Sequence, residues 1–114
     1  MRLEPLMSLY AEYCKERGIK HVIESDVAFC TYFFLQDGAY IEDIYVKPDY
    51  RKSDIASQMA DQVAVIAKEK GFNKLYGSVV PTAKGSSESL KVLFAYGMRL
   101  DSAGPNAIIT VKDI

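Results

Sequence analysis

Tyr40-Ile41-Glu42-Asp43-Ile44-Tyr45-Val46-Lys47-Pro48-Asp49-Tyr50-Arg51 is the stretch whose pattern decides the fold. A strand with one buried side alternates apolar and polar residues with a period of two. Ile44 and Val46 keep that period, but Ile41 to Ile44 is a step of three. One extra residue near Glu42-Asp43 restores the register, so a β-bulge that splays the strand from a neighbour is predicted there. Pro48 to Ser53 follows as a loop. Beyond it, Ile55, Met59, Val63 and Ile66 form the apolar stripe of a long helix, and Ala56, Ala60 and Ala67 permit close approach to a sheet. Ser53 or Asp54 is the expected N-cap and Gly71 the terminator.

Upstream of this stretch, Val27 to Gln36 is rich in β-branched and aromatic residues and reads as a strand, turned at Asp37-Gly38. The bulged strand, Ala39 to Lys47, returns antiparallel to it. Residues 5 to 17 read as a helix with Pro5 at its first position. Leu6, Leu9, Tyr10, Tyr13 and Cys14 lie on one face, and Gly18 ends the helix. Residues 19 to 26 read as a polar connection holding His21. Downstream, Lys74 to Val80 is a strand stopped by Pro81, and Pro81 to Ser87 a loop. Ser89 to Tyr96 is a short helix before Gly97. Met98 to Asp101 and Ala107 to Lys112 are strands around the turn residues Ser102 to Asn106. This order gives an α/β (α+β) chain with a mixed sheet flanked by helices.

Composition narrows the function. The 114 residues, 49% of them hydrophobic, suit one domain, residues 1–114, with a core that needs neither staples nor metal. Fourteen basic against fifteen acidic side chains leave a net charge of −1, which argues against nucleic acid as the main partner. Two cysteines, Cys14 and Cys30, and the single His21 do not make a structural zinc site, and no metal is expected. The cysteines sit in apolar runs and read as small buried hydrophobes. The start of the chain lacks a secretory pattern and no run reaches a membrane span, so a soluble cytoplasmic protein is expected.

The run from Tyr40 to Arg51, continued by Lys52-Ser53-Asp54-Ile55-Ala56 and a long helix, resembles the GNAT superfamily (Gcn5-related N-acetyltransferases). In that family an aromatic-Leu-Glu-Asp-x-x-Val strand leads into Arg/Gln-x-x-Gly-x-Gly/Ala at a helix start. The resemblance covers about residues 27 to 113 and includes Tyr96-Gly97-Met98-Arg99, similar to the family's Gly-Phe-Arg ending. Its Glu-Asp form is closest to the diamine acetyltransferase type. The short length, the shortened N-terminus and the run Lys84 to Leu93 resemble small phage-encoded members.

The resemblance implies a mostly antiparallel central sheet and acetyl-CoA as co-substrate. The pyrophosphate would rest on backbone N–H groups of Arg51, Lys52, Ser53, Asp54, Ile55 and Ala56, where the helix dipole is positive. Backbone donors of Ile44, Tyr45 and Val46 would serve the pantetheine arm and the thioester oxygen. Ser86 and Ser89 match further positions near the cofactor. Glu42 matches the general base, a carboxylate that would take the amine's proton directly or through water. Two residues depart from the pattern. Asp54 replaces the first loop glycine, bringing a side chain and a negative charge to an anion site. Leu93 stands where the family often has a tyrosine acid, with Tyr96 one turn away as the substitute. The implied activity is acetyl transfer by direct attack of a small amine or protein amine, with a homodimer as a possible assembly. The alternative is a catalytically degenerate GNAT-fold binding or virion-associated protein.

Overall fold

The computed structural model describes residues 8–114. Pro5 and Leu6 of the expected first helix lie outside these residues. Helix α1 runs Leu9–Arg17 and is capped by Ser8, whose hydroxyl accepts the Ala11 N–H at 3.1 Å. It ends at Gly18, whose φ of 68° suits a residue without a side chain. The face that packs overlaps the expected one only at Cys14 among the described residues. Ala11 and Cys14 are buried, whereas Leu9 is 85% exposed and Tyr10 and Tyr13 are about half exposed. Small residues three apart let the helix lie close to the sheet edge, which the bulky residues at neighbouring positions do not.

The expected polar connection at 19–26 contains a strand, β1 (His21–Glu24), paired antiparallel with β2 (Ala28–Leu35). His21 is exposed, stacks 5.2 Å from the Tyr32 ring and meets the Phe34 ring edge-on at 5.5 Å. A four-residue segment carries too little periodicity to be seen in sequence, and the pairing with β2 is what makes it a strand. The turn after β2 is Gln36-Asp37, one residue earlier than expected, because Gly38 already pairs with Leu35 as the first residue of β3 (Gly38–Val46).

The predicted bulge is present. Thr31 pairs with Asp43 and Tyr32 with Ile41, leaving Glu42 as the extra residue. After β3 come a short 3₁₀ turn (Pro48–Tyr50) and α2 (Ile55–Glu69), whose Met59, Ala60, Val63 and Ala67 are buried on the sheet. β4 (Lys74–Val79) lies parallel to β3. α3 (Ser86–Ala95) begins three residues earlier than expected, its polar first turn Ser86-Ser87-Glu88 giving no apolar signal. β5 (Arg99–Ala103) and β6 (Ile108–Asp113) close the sheet, whose order is β1-β2-β3-β4-β6-β5. All neighbours except β3 and β4 are antiparallel. The core joins Cys30, Tyr32, Ala39, Ile41 and Leu75 of the sheet to Met59, Val63 and Ala67 of α2. Both cysteines are buried thiols, and burial pushes Cys30 up to about 12.

Candidate active site

The bulge at Glu42 has a consequence on the other side of β3. Parallel pairing with β4 ends at Ile41 opposite Gly77, while β2 stays paired to β3 as far as Val46. Residues 42 to 46 therefore part from β4, which continues with Ser78 and Val79 beside β6. The wedge between the strands is roofed by α2 and α3. Its walls are Ile41, Ile44, Ala56, Ala60, Leu75 and Leu93, with Tyr96 and Met98 at one side. Small residues at 56 and 60 are what keep α2 from filling it. Gly77 serves the same end on the strand side: a Cβ there would stand 3.0 Å from Leu93 Cδ2 and 3.3 Å from Met98 Cε.

The three residues expected to serve a pantetheine arm divide. Ile44 lines the groove, Val46 is buried in the core, and Tyr45 turns to the opposite face, stacked 5.8 Å from Phe29. The loop beyond is held by Arg51, whose Nε donates to the Val46 carbonyl at 2.8 Å and whose guanidinium lies 5.5 Å from the Tyr45 ring centre.

At the mouth of α2 the expectation of a side-chain cap is overturned. Asp54 occupies the N-cap position, but with φ 65° and ψ 9° its carboxylate makes no capping bond, and the Ser53 hydroxyl donates to the Tyr50 carbonyl. Lys52 is also left-handed, with φ 68°. These two positive-φ residues, one on each side of Ser53, turn the chain sharply into α2. Among the described residues no acceptor is found for the N–H groups of Ile55, Ala56 and Ser57, and the first α2 turn closes with Gln58 N–H on the Asp54 carbonyl at 2.9 Å. The glycine of the family pattern thus marks a backbone conformation, and aspartate is one of the few other residues that tolerate it. The first N–H groups of α2 thus stay free beside the Asp54 charge.

Glu42 stands on the bulge between the groove residues Ile41 and Ile44. Its side chain is 40% exposed, and Lys20 Nζ donates to its Oε1. That hydrogen bond, helped by the nearby Tyr10 hydroxyl, holds the Lys20 ammonium well above its ordinary range, against a smaller opposing effect of burial. Tyr96 presents its ring to the groove but donates its hydroxyl to Asp61 Oδ1 on α2 at 2.6 Å. Burial first, and that bond second, raise its pKa well above the tyrosine range. Lys112 Nζ sits 4.0 Å from the Tyr96 ring centre and donates to the Tyr96 carbonyl at 3.0 Å, fixing the end of α3. Leu93 fills the wall beside Gly77. Ser86 donates to the Pro81 carbonyl at 2.9 Å and Ser89 is exposed on α3. The tertiary structure adds Ala60, Leu75 and Met98 to the site, and Lys20 and Asp61 as partners of its polar groups. Of these only Ala60 left a trace in the sequence, as a small residue on the α2 stripe.

The family model of the acetyltransferase (GNAT) family matches residues 9–88. The chain belongs to the GNAT acetyltransferase family. Curated relatives include two proteins named thialysine N-epsilon-acetyltransferase. The one from Bos taurus is 41% identical over 56 residues, covering 49% of this chain and 33% of the relative. The one from Sus scrofa is 34% identical over 74 residues, covering 60% of this chain and 44% of the relative. The matches thus span less than half of these relatives' own length. Among solved structures, a PaiA N-acetyltransferase from Thermoplasma acidophilum in complex with coenzyme A superposes with a TM-score of 0.73 at 16% identity, over 93% of this chain and 69% of that one. A GNAT family acetyltransferase from Elizabethkingia anophelis with acetyl-CoA bound gives 0.68 at 15% identity, over 90% and 82% of the two chains. At these identities the structural likeness establishes the GNAT fold of this chain, a mixed and mostly antiparallel sheet flanked by helices.

Proposed function

We propose that this GNAT chain transfers an acetyl group from acetyl-CoA to a primary amine by direct attack. The observation that carries the reading is the wedge between β3 and β4, continuous with the unpartnered N–H groups at the start of α2. A thin, largely apolar arm would lie along the apolar walls of the wedge, and a pyrophosphate would rest at the helix mouth, where the dipole is positive and Arg51 and Lys52 are at hand. The GNAT neighbours solved with coenzyme A or acetyl-CoA support this choice of co-substrate. The amine nitrogen attacks the thioester carbonyl, the C–N bond forms, and the C–S bond breaks with its electron pair going to sulfur. Glu42 receives the proton that the amine loses, after Lys20 yields its place on the carboxylate. Tyr96 reaches the thiolate as an acid only when its bond to Asp61 opens; water otherwise supplies that proton, since a thiolate leaves readily. The thialysine relatives point to an alkylamine acceptor of lysine-like shape.

Calorimetric titration with acetyl-CoA, followed by transfer assays on thialysine, lysine and diamines, tests the reading. Saturable heat and an acetylated amine are expected. Glu42→Gln should lower transfer by about 10²–10⁴-fold while leaving acetyl-CoA binding intact. No heat at millimolar acetyl-CoA overturns it. The second reading, a GNAT-fold binding module without turnover, is favoured by Leu93, Asp54 and the Lys20–Glu42 pair. Binding without transfer to any amine would select it.

A further inference from the structure

An exposed ion pair contributes only about 0–1 kcal/mol to a fold, so the pairing of Lys20 with Glu42 matters more for its chemistry than for stability. It seats a primary alkylamine on the carboxylate at the bulge, beside the point where β3 leaves β4. The partner comes from the segment just ahead of β1, and its side chain is itself 22% exposed. No other cation contacts Glu42 among the described residues.

We propose that Lys20 is a modification site, acetylated by the chain's own transfer activity, with Lys20 Nζ as an internal acceptor amine. The inference rests on the reading of Glu42 as base and of acetyl-CoA as donor. Glu42 takes a proton from the Lys20 ammonium, and the freed lone pair attacks the thioester carbonyl. The C–N bond forms and the C–S bond breaks, its electrons passing to sulfur. Of the two protons the nitrogen loses in becoming an amide, one ends on the coenzyme A thiol and one in solvent. The product, acetyl-Lys20, carries no charge and no longer pairs with Glu42, so the carboxylate becomes open to an external amine. The group that holds the Lys20 proton is Glu42 on β3, whose Oε1 accepts from Lys20 Nζ.

The test incubates the purified full chain with isotopically labelled acetyl-CoA and maps labelled peptides over time. Lys20 is expected to gain one acetyl group at least about tenfold faster than the exposed Lys47, Lys68 and Lys84, with a half-time independent of protein concentration. Glu42→Gln should slow Lys20 about a hundredfold without changing the other lysines. Lys20→Arg, which keeps the charge on Glu42, should remove the fast phase from the intact mass. Should Glu42→Gln fail to fold by circular dichroism, the wild-type concentration series and Lys20→Arg decide. Labelling of Lys20 no faster than of exposed lysines, or at a rate proportional to protein concentration, overturns the inference. Acetyl-CoA binding with transfer to an added amine but none to Lys20 overturns it alone, whereas absence of binding overturns the proposed function as well.

Discussion

Asp54 shows how one residue serves a backbone need and a charge need that conflict. Its left-handed conformation shapes the helix mouth, and its exposed carboxylate, which makes no capping bond, adds a negative charge there. Asp54→Asn keeps a residue that tolerates this conformation and removes the charge. Its thermal stability should stay within about 0.5 kcal/mol of wild type, and acetyl-CoA should bind about fivefold tighter, the scale of one screened charge near a phosphate. Asp54→Val puts a branched side chain at a positive φ and should cost about 1–2 kcal/mol in chemical denaturation. At the other end of the groove, Tyr96→Phe removes the bond to Asp61 but keeps the ring. Because a thiolate needs little help in leaving, kcat should fall by less than about tenfold. The bulge at Glu42 was readable from the broken alternation of Ile41 and Ile44. The Lys20 partner was not, since it comes from a segment distant in the chain and only folding brings it there.

At the scale of elements, the parallel pair β3–β4 is short and closely fitted. A Cβ on Gly38 would stand 2.5 Å from the Lys74 carbonyl oxygen, a backbone atom that cannot turn aside. Gly38→Ala should therefore destabilise the fold by about 1–3 kcal/mol, read from the denaturant midpoint. Ala56 lines the groove from α2 and is partly exposed. Ala56→Leu should leave the melting temperature within a few degrees of wild type and weaken acetyl-CoA binding by at least about tenfold, since its added atoms lie in the groove. The long helix and the strands of six or more residues were legible because their periodicity runs over enough residues to stand out. β1 and the first turn of α3 were not. The former is four residues long and the latter polar, and both are held by neighbours rather than by their own pattern.

Across the whole molecule, several protons are held by the folded state alone. Burial raises Cys30 to about 12 and raises Tyr32 and Tyr40. The bond from Tyr76 to Asp37 Oδ2 at 2.8 Å raises Tyr76, and burial with Asp61 raises Tyr96. A folded chain that keeps protons the unfolded chain has lost is less stable as pH rises. These contributions are therefore complete below the ordinary thiol and tyrosine values of 9.0 and 10.0 and decline above them. Thermal melts should show a falling alkaline limb from about pH 9, and Tyr76→Phe should make that limb shallower while costing about 1 kcal/mol at neutral pH.

By itself the order and periodicity of residues determined a mixed sheet flanked by helices, the place where β3 slips register, and the loop that leads into α2. These are local properties, written in neighbours a few positions apart. The pairing that makes His21–Glu24 a strand, the groove between β3 and β4, the open mouth of α2 and the seating of Lys20 on Glu42 were decided by the tertiary structure. Each depends on contacts between segments far apart in the chain, and such contacts are fixed by packing rather than by any local pattern of residues.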